Sequence, residues 1–205
     1  AKLQGGVVGS GEEYDRYDAI GLAGLIATKE LTPSELIETT INRIEFLNPK
    51  LNAIISRCFD TACDSIAQGL PAGPLTGVPY LVKDLNTMLA GLPATNGSRA
   101  FAKTIPTKDG LLISRLKAAG LVILGKTNTP EFGLNICTSP MLFGPTVNPF
   151  DRSRSAGGSS GGSACAVASG MLPAAHRQRG IDPDSGKQLR FVWPQTNPGP
   201  GTAWA

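Results

Sequence analysis

The sequence predicts an α/β fold on three observations. Residues 110–119 carry Leu112, Leu116 and Ala119 at helical spacing, Gly120 follows as a stop, and Leu121-Val122-Ile123-Leu124 is an unbroken apolar run. Helix, tight turn and wholly apolar strand point to a parallel crossover, because a strand covered on both faces shows no polar alternation. Residues 78–82 form a second apolar run behind a Pro/Gly loop. Thr32-Pro33-Ser34-Glu35 opens a long amphipathic helix: Thr32 caps, Pro33 fits the first helical position and Glu35 completes a capping box.

The elements follow in order. Residues 1–16 are Gly-rich and polar and read as a loose lead-in. From Asp18, the spacing of Ile20, Leu22, Leu25 and Ile26 predicts a short helix ending near Lys29. After Thr32, Leu36, Ile37, Ile41, Ile44 and Leu47 recur at helical spacing until Asn48-Pro49 stops the helix. Residues 52–56 read as a strand, and 60–68 as a helix closed by Gly69. Lys83-Asp84 stands at the end of the 78–82 strand, where α/β domains build sites. By pattern alone Lys83 is a solvated strand end and Asp84 a local cap or turn residue. Residues 85–107 are irregular, and Asp109 caps the 110–119 helix. Lys126 and Asn128 follow the 121–124 strand, where ordinary hydrogen bonds to neighbouring loops account for them. Residues 131–148 form a long loop and Asn148-Pro149-Phe150-Asp151 a turn.

The next stretch organises the chain: Ser155-Ala156-Gly157-Gly158-Ser159-Ser160-Gly161-Gly162-Ser163-Ala164. Such a run lets backbone approach a ligand and aim several N–H groups at one place. A flexible linker would continue polar, yet Cys165-Ala166-Val167-Ala168 follows as an apolar helix-forming segment. A Walker phosphate cradle needs Gly-Lys-Ser/Thr at its end, and no lysine follows these glycines. A hydrolase loop holding serines against a bound carbonyl fits better.

Composition narrows the class. A net charge of +3 with scattered basic residues gives no nucleic-acid surface. Cys58, Cys63, Cys137 and Cys165 form no C-x-x-C pair, and one histidine cannot complete a zinc site, so neither metal nor cofactor is expected. The cysteines read as free, mostly buried thiols, which points to a reducing, cytoplasmic setting. The N-terminus shows no signal-peptide pattern, and no apolar stretch approaches membrane-spanning length.

Gly157-Gly158-Ser159-Ser160-Gly161-Gly162-Ser163-Ala164 resembles the core of the amidase-signature family. So do Val78-Pro79-Tyr80-Leu81-Val82-Lys83-Asp84 and Gly125-Lys126-Thr127-Asn128-Thr129-Pro130-Glu131-Phe132, in the family's order and spacing. The resemblance runs from Tyr17 to His176. Details around Lys83 and His176 look like bacterial amidases related to cyclic-dimer nylon-oligomer hydrolases. It implies an amidase-signature α/β/α fold, here truncated, with a mixed sheet flanked by helices, and hydrolysis of small carboxylic amides or oligoamides. It also implies a Ser–Ser–Lys mechanism. Neutral Lys83 would be the base, Ser159 would bridge it to a nucleophilic serine downstream, and a cis peptide would join Gly158 to Ser159. Ser160 matches a helper serine that donates to the site, while Ser163 matches no role and reads as capping or packing. A lysine base must be desolvated, because its ordinary pKa is about 10.4.

After His176 the pattern breaks. The family continues Gly-Thr-Asp-x-Gly-x-Ser-Ile-Arg, whose serine is the nucleophile, whereas this chain reads Arg177-Gln178-Arg179-Gly180-Ile181-Asp182-Pro183. The tail fits a shifted reading frame. Back-translated with permitted codons and read from the second base of each, it can spell Asp-Ser-Gly-Ala-Ser-Ile-Arg-Ile-Arg-Ala-Asn-Ser-Cys-Gly-Leu-Cys-Gly-Leu-Lys-Pro-Thr-Arg, with the nucleophile restored. A small deletion just after His176 would produce the shift, and the lost serine codon would straddle Ile181 and Asp182. The expected organisation is lead-in 1–16, N-terminal amidase part 17–176, and a non-family tail 177–205. That tail has no periodic apolar face and is expected to be disordered. The domain is expected to expose a sheet edge and apolar surface, and the polypeptide to lack amidase activity. Alternatives are the amidase subunit of a tRNA-dependent amidotransferase and a non-catalytic amidase fragment, with a nucleotide-binding module a distant third.

Overall fold

The computed structural model describes residues 14–177 and the backbone of Arg190–Val192; the lead-in through residue 13 and the rest of the tail lie outside the described residues. The helices are α1 (Ala19–Ala27), α2 (Pro33–Leu51), α3 (Phe59–Ala67), α4 (Leu111–Ala118) and α5 (Gly161–Ala168). The strands are β1 (Ile54–Arg57), β2 (Pro79–Lys83), β3 (Val122–Thr127), β4 (Ala175–Arg177) and β5 (Arg190–Val192).

They build one mixed sheet in the order β1-β3-β2-β4-β5. β2 pairs parallel with β3 and with β4, while β1 and β5 pair antiparallel on the two flanks. β2, α4 and β3 form the expected parallel crossover. Alternation along the buried strands divides the core. Leu81 and Leu124 join Ile37 and Ile44 of α2, Ala62 of α3, and Cys165 and Ala166 of α5 on one face. Val78, Tyr80, Val82 and Ile123 join Ile113 and Leu116 of α4 and Ala19 of α1 on the other. This is an α/β/α arrangement, and it places the end of β2 under the N-terminus of α5.

Local signals mostly resolve as read. Asp18 caps α1 by accepting Gly21 N–H at 2.8 Å, and the Thr32–Glu35 capping box is complete. Four expectations need correction. Pro49 does not end α2, which runs to Leu51. A proline in the last turn removes only one backbone bond, and Asn52, with φ of 52°, then caps the helix by donating its N–H to Asn48 O at 2.8 Å. Asp109 does not cap α4, whose cap residue is Gly110; its carboxylate instead accepts Ala90 N–H and pairs with Lys117 at 2.5 Å. The last residues of the lead-in are docked rather than loose. Tyr14 is buried with its hydroxyl 3.0 Å from Thr40 Oγ1, and Arg43 lies over its ring while pairing with Asp15 at 2.6 Å and donating to Gly170 O. The cysteines divide evenly, Cys165 buried and Cys58 half-buried, Cys63 and Cys137 exposed.

The tail expected to be disordered contributes described structure at two points: Arg177 completes β4, and Arg190–Val192 pairs with that strand. Apolar side chains stand exposed in the long loop after β3, with Leu134, Ile136, Met141 and Phe150 each at least 75% accessible. Among the described residues no helix is long and apolar enough to cross a membrane.

Candidate active site

Lys83 ends β2, and all five residues of that strand are buried. Its Nζ donates to Ser159 Oγ at 2.8 Å. The pattern-based reading of Lys83 as a solvated strand end is therefore corrected: its relative accessibility is 0%. Burial pushes its pKa down to about 8, and the charge of Arg177 on β4 pushes in the same direction. With that value roughly a tenth of the amine is neutral at pH 7 and about half at pH 8.

Ser159 enters from the serine run, which turns into α5 as read. The Gly158–Ser159 peptide is cis. Ser160 is buried at the start of α5. The glycines serve close approach: a Cβ at Gly162 would lie 2.5 Å from Asn128 N and 2.6 Å from Ala53 O. Ser163 packs, its Oγ 2.7 Å from Thr127 Oγ1 across the α5–β3 contact. Thr129 Oγ1 donates to Ser159 O at 3.1 Å.

Beside this contact is an ion pair that residue-by-residue reading missed. Asp84 is no local turn residue: it is 1% exposed and pairs with Lys126, 0% exposed, at 2.9 Å. Asp84 also accepts from the backbone N–H and hydroxyl of Thr95. Lys126 donates to Thr87 O at 2.9 Å and Pro93 O at 2.7 Å as well. The pair therefore stitches the irregular 84–95 segment to β3. Neither residue has a partner within ten positions, so nothing local in the sequence signals the pairing.

His176 is buried on β4, and its Nδ1 has no hydrogen-bond partner among the described residues. Burial holds its pKa down to about 4, with the Lys83 charge adding to the effect. The folded chain thus binds fewer protons at His176 than the unfolded chain, whose value is about 6.5. Stability is expected to fall as pH drops from about 6.5 towards 4, and a His176→Gln variant should lose less over that window. Urea midpoints at pH 7 and 4.5 check this, and equal acid sensitivity of the two proteins refutes it.

A family model for amidases matches residues 35–177. The chain belongs to the amidase family. It is 41% identical over 161 residues to the 6-aminohexanoate-cyclic-dimer hydrolase of Paenarthrobacter ureafaciens, across 78% of this chain and 32% of that protein. It is 39% identical over 182 residues to the A subunit of glutamyl-tRNA(Gln) amidotransferase from Acidothermus cellulolyticus, across 85% of this chain and 35% of that one. Among solved structures, 6-aminohexanoate cyclic dimer hydrolase complexed with substrate superposes with a TM-score of 0.74 at 40% identity, over 78% of this chain and 33% of that one. Native peptide amidase from Stenotrophomonas maltophilia superposes with a TM-score of 0.70 at 32% identity, over 80% and 36% of the two chains. The chain spans about a third of the length of the curated relatives it matches.

Proposed function

We propose that Lys83 and Ser159 are two members of a Ser–Ser–Lys amidase site whose nucleophilic serine is missing from this polypeptide. The observation that carries the reading is the 2.8 Å Lys83 Nζ–Ser159 Oγ contact in a buried position. When Lys83 is neutral, Ser159 gives its hydroxyl proton to Nζ while taking one from the nucleophile. The nucleophile's oxygen then bonds to the amide carbon. Collapse breaks the C–N bond, and the proton on Lys83 returns through Ser159 to the departing amine. Water repeats the cycle to release the acid. Ser160 is the helper hydroxyl beside this path.

The substrate class is small carboxylic amides or oligoamides, in keeping with the hydrolase relatives. The nucleophile belongs to the shifted phase of the tail, so the chain as written is a non-catalytic amidase fragment. The test is to sequence the gene through codons 170–205 and express both versions. The frame-restored protein is expected to hydrolyse amides and the present chain to release no product above the uncatalysed rate. Turnover by the present chain that disappears in Lys83→Met would show that the nucleophile is not missing. A second reading, in which the chain is part of an amidotransferase, draws on the 39% identity to the Acidothermus cellulolyticus protein. It requires co-purification with partner subunits.

A further inference from the structure

One threonine ties both ends of the segment that carries Ser159. Thr138 Oγ1 donates to Gly157 O at 2.8 Å and accepts from Gly161 N–H at 3.1 Å, and Thr138 N–H donates to the same Gly157 O at 2.9 Å. Gly157 and Gly161 stand two residues to either side of Ser159. Thr138 is 0% exposed, so water does not compete for these bonds. Hydroxyl and glycine are fitted to each other, since a Cβ at Gly161 would strike Thr138 Oγ1.

We propose that Thr138 is a positioning residue for Ser159: its hydroxyl brackets residues 157–161 and so sets the Ser159 Oγ–Lys83 Nζ contact. The proposal rests on reading Lys83 as the base. Without the hydroxyl, Gly161 N–H is left unpaired in a buried place and the segment relaxes away from β2. Water then takes the place of Ser159 beside Lys83. Water stabilises the ammonium form, so Lys83 titrates closer to its ordinary value of about 10.4. The charged and titratable groups around Lys83 are Arg177 and His176 on β4 and the Asp84–Lys126 pair. The substitution changes none of them.

The test is a carbon-13 NMR titration of lysine Cε in the present chain, with the Lys83 signal assigned by its loss in Lys83→Arg. Thr138→Val keeps the shape and removes the hydroxyl; Thr138→Ser keeps the hydroxyl. Wild type and Thr138→Ser are expected to share a low midpoint, with Thr138→Val about one unit higher while still folded by circular dichroism. A low wild-type midpoint that Thr138→Val leaves in place overturns the assignment to Thr138. So does an equal shift in Thr138→Ser, which would make packing rather than the hydroxyl responsible. A wild-type midpoint near 10.4 instead sinks the reading of Lys83 as base. Should Thr138→Val not fold, Thr138→Ser against Thr138→Ala makes the same comparison.

Discussion

Lys126→Met is expected to lower the unfolding free energy by about 3–5 kcal/mol, the cost of breaking a buried ion pair from one side. Asp84 would remain 1% exposed with Thr95 as its donor and no cation to balance it. The released carbonyls of Thr87 and Pro93 lose their donor as well. The double variant Asp84→Asn, Lys126→Met should recover a large part of the loss, because no uncompensated charge is then left inside. Urea denaturation of the three proteins measures this. A Lys126→Met loss below about 1 kcal/mol would mean that water reaches the pair and that it does not clamp the 84–95 segment.

Lys83→Met in the frame-restored protein is expected to reduce kcat/KM by about 10²–10⁴-fold, the span typical of a lost general base. The rate of the unsubstituted enzyme should rise with pH through about 8, the value that burial gives Lys83. That limb should vanish in the variant. Linkage supplies a check in the present chain that needs no turnover. The folded pKa of about 8 lies below the unfolded value of about 10.4, so the unfolded chain binds more protons between them. The stabilisation that comes with a neutral Lys83 is absent below about pH 8 and grows as pH rises towards 10.4. Lys83→Met should show no such gain relative to wild type. A pH–rate profile with the same limb in the variant would remove Lys83 from the base role.

Much of this amidase-family chain was legible in one dimension. The capping box at Thr32 and Glu35, the apolar β2 run and the α4–Gly120–β3 sequence each carry their signal within a few residues, because helix caps and strand periodicity are local physics. Lys83, Ser159 and Ser160 are singled out by the family resemblance alone, since a lysine after an apolar run is no signal by itself. Where local reading failed, the reasons differ from residue to residue. Asp109 looked like a cap but pairs with Lys117, and Pro49 looked like a stop but stands in the last turn of α2. Asp84 looked like a turn residue until Lys126, 42 positions away, came to it across β3.

The sequence by itself determined the family, the α/β class and the residue types at the candidate site, because motif order and hydrophobic period are written along the chain. Only the tertiary structure decided that Lys83 is buried against Ser159, 76 positions away, and that Thr138 brackets the serine segment. The reason is physical. A depressed lysine pKa and a hydroxyl bracket are properties of what surrounds a group, and those surroundings exist only once β2, β3 and α5 have packed together.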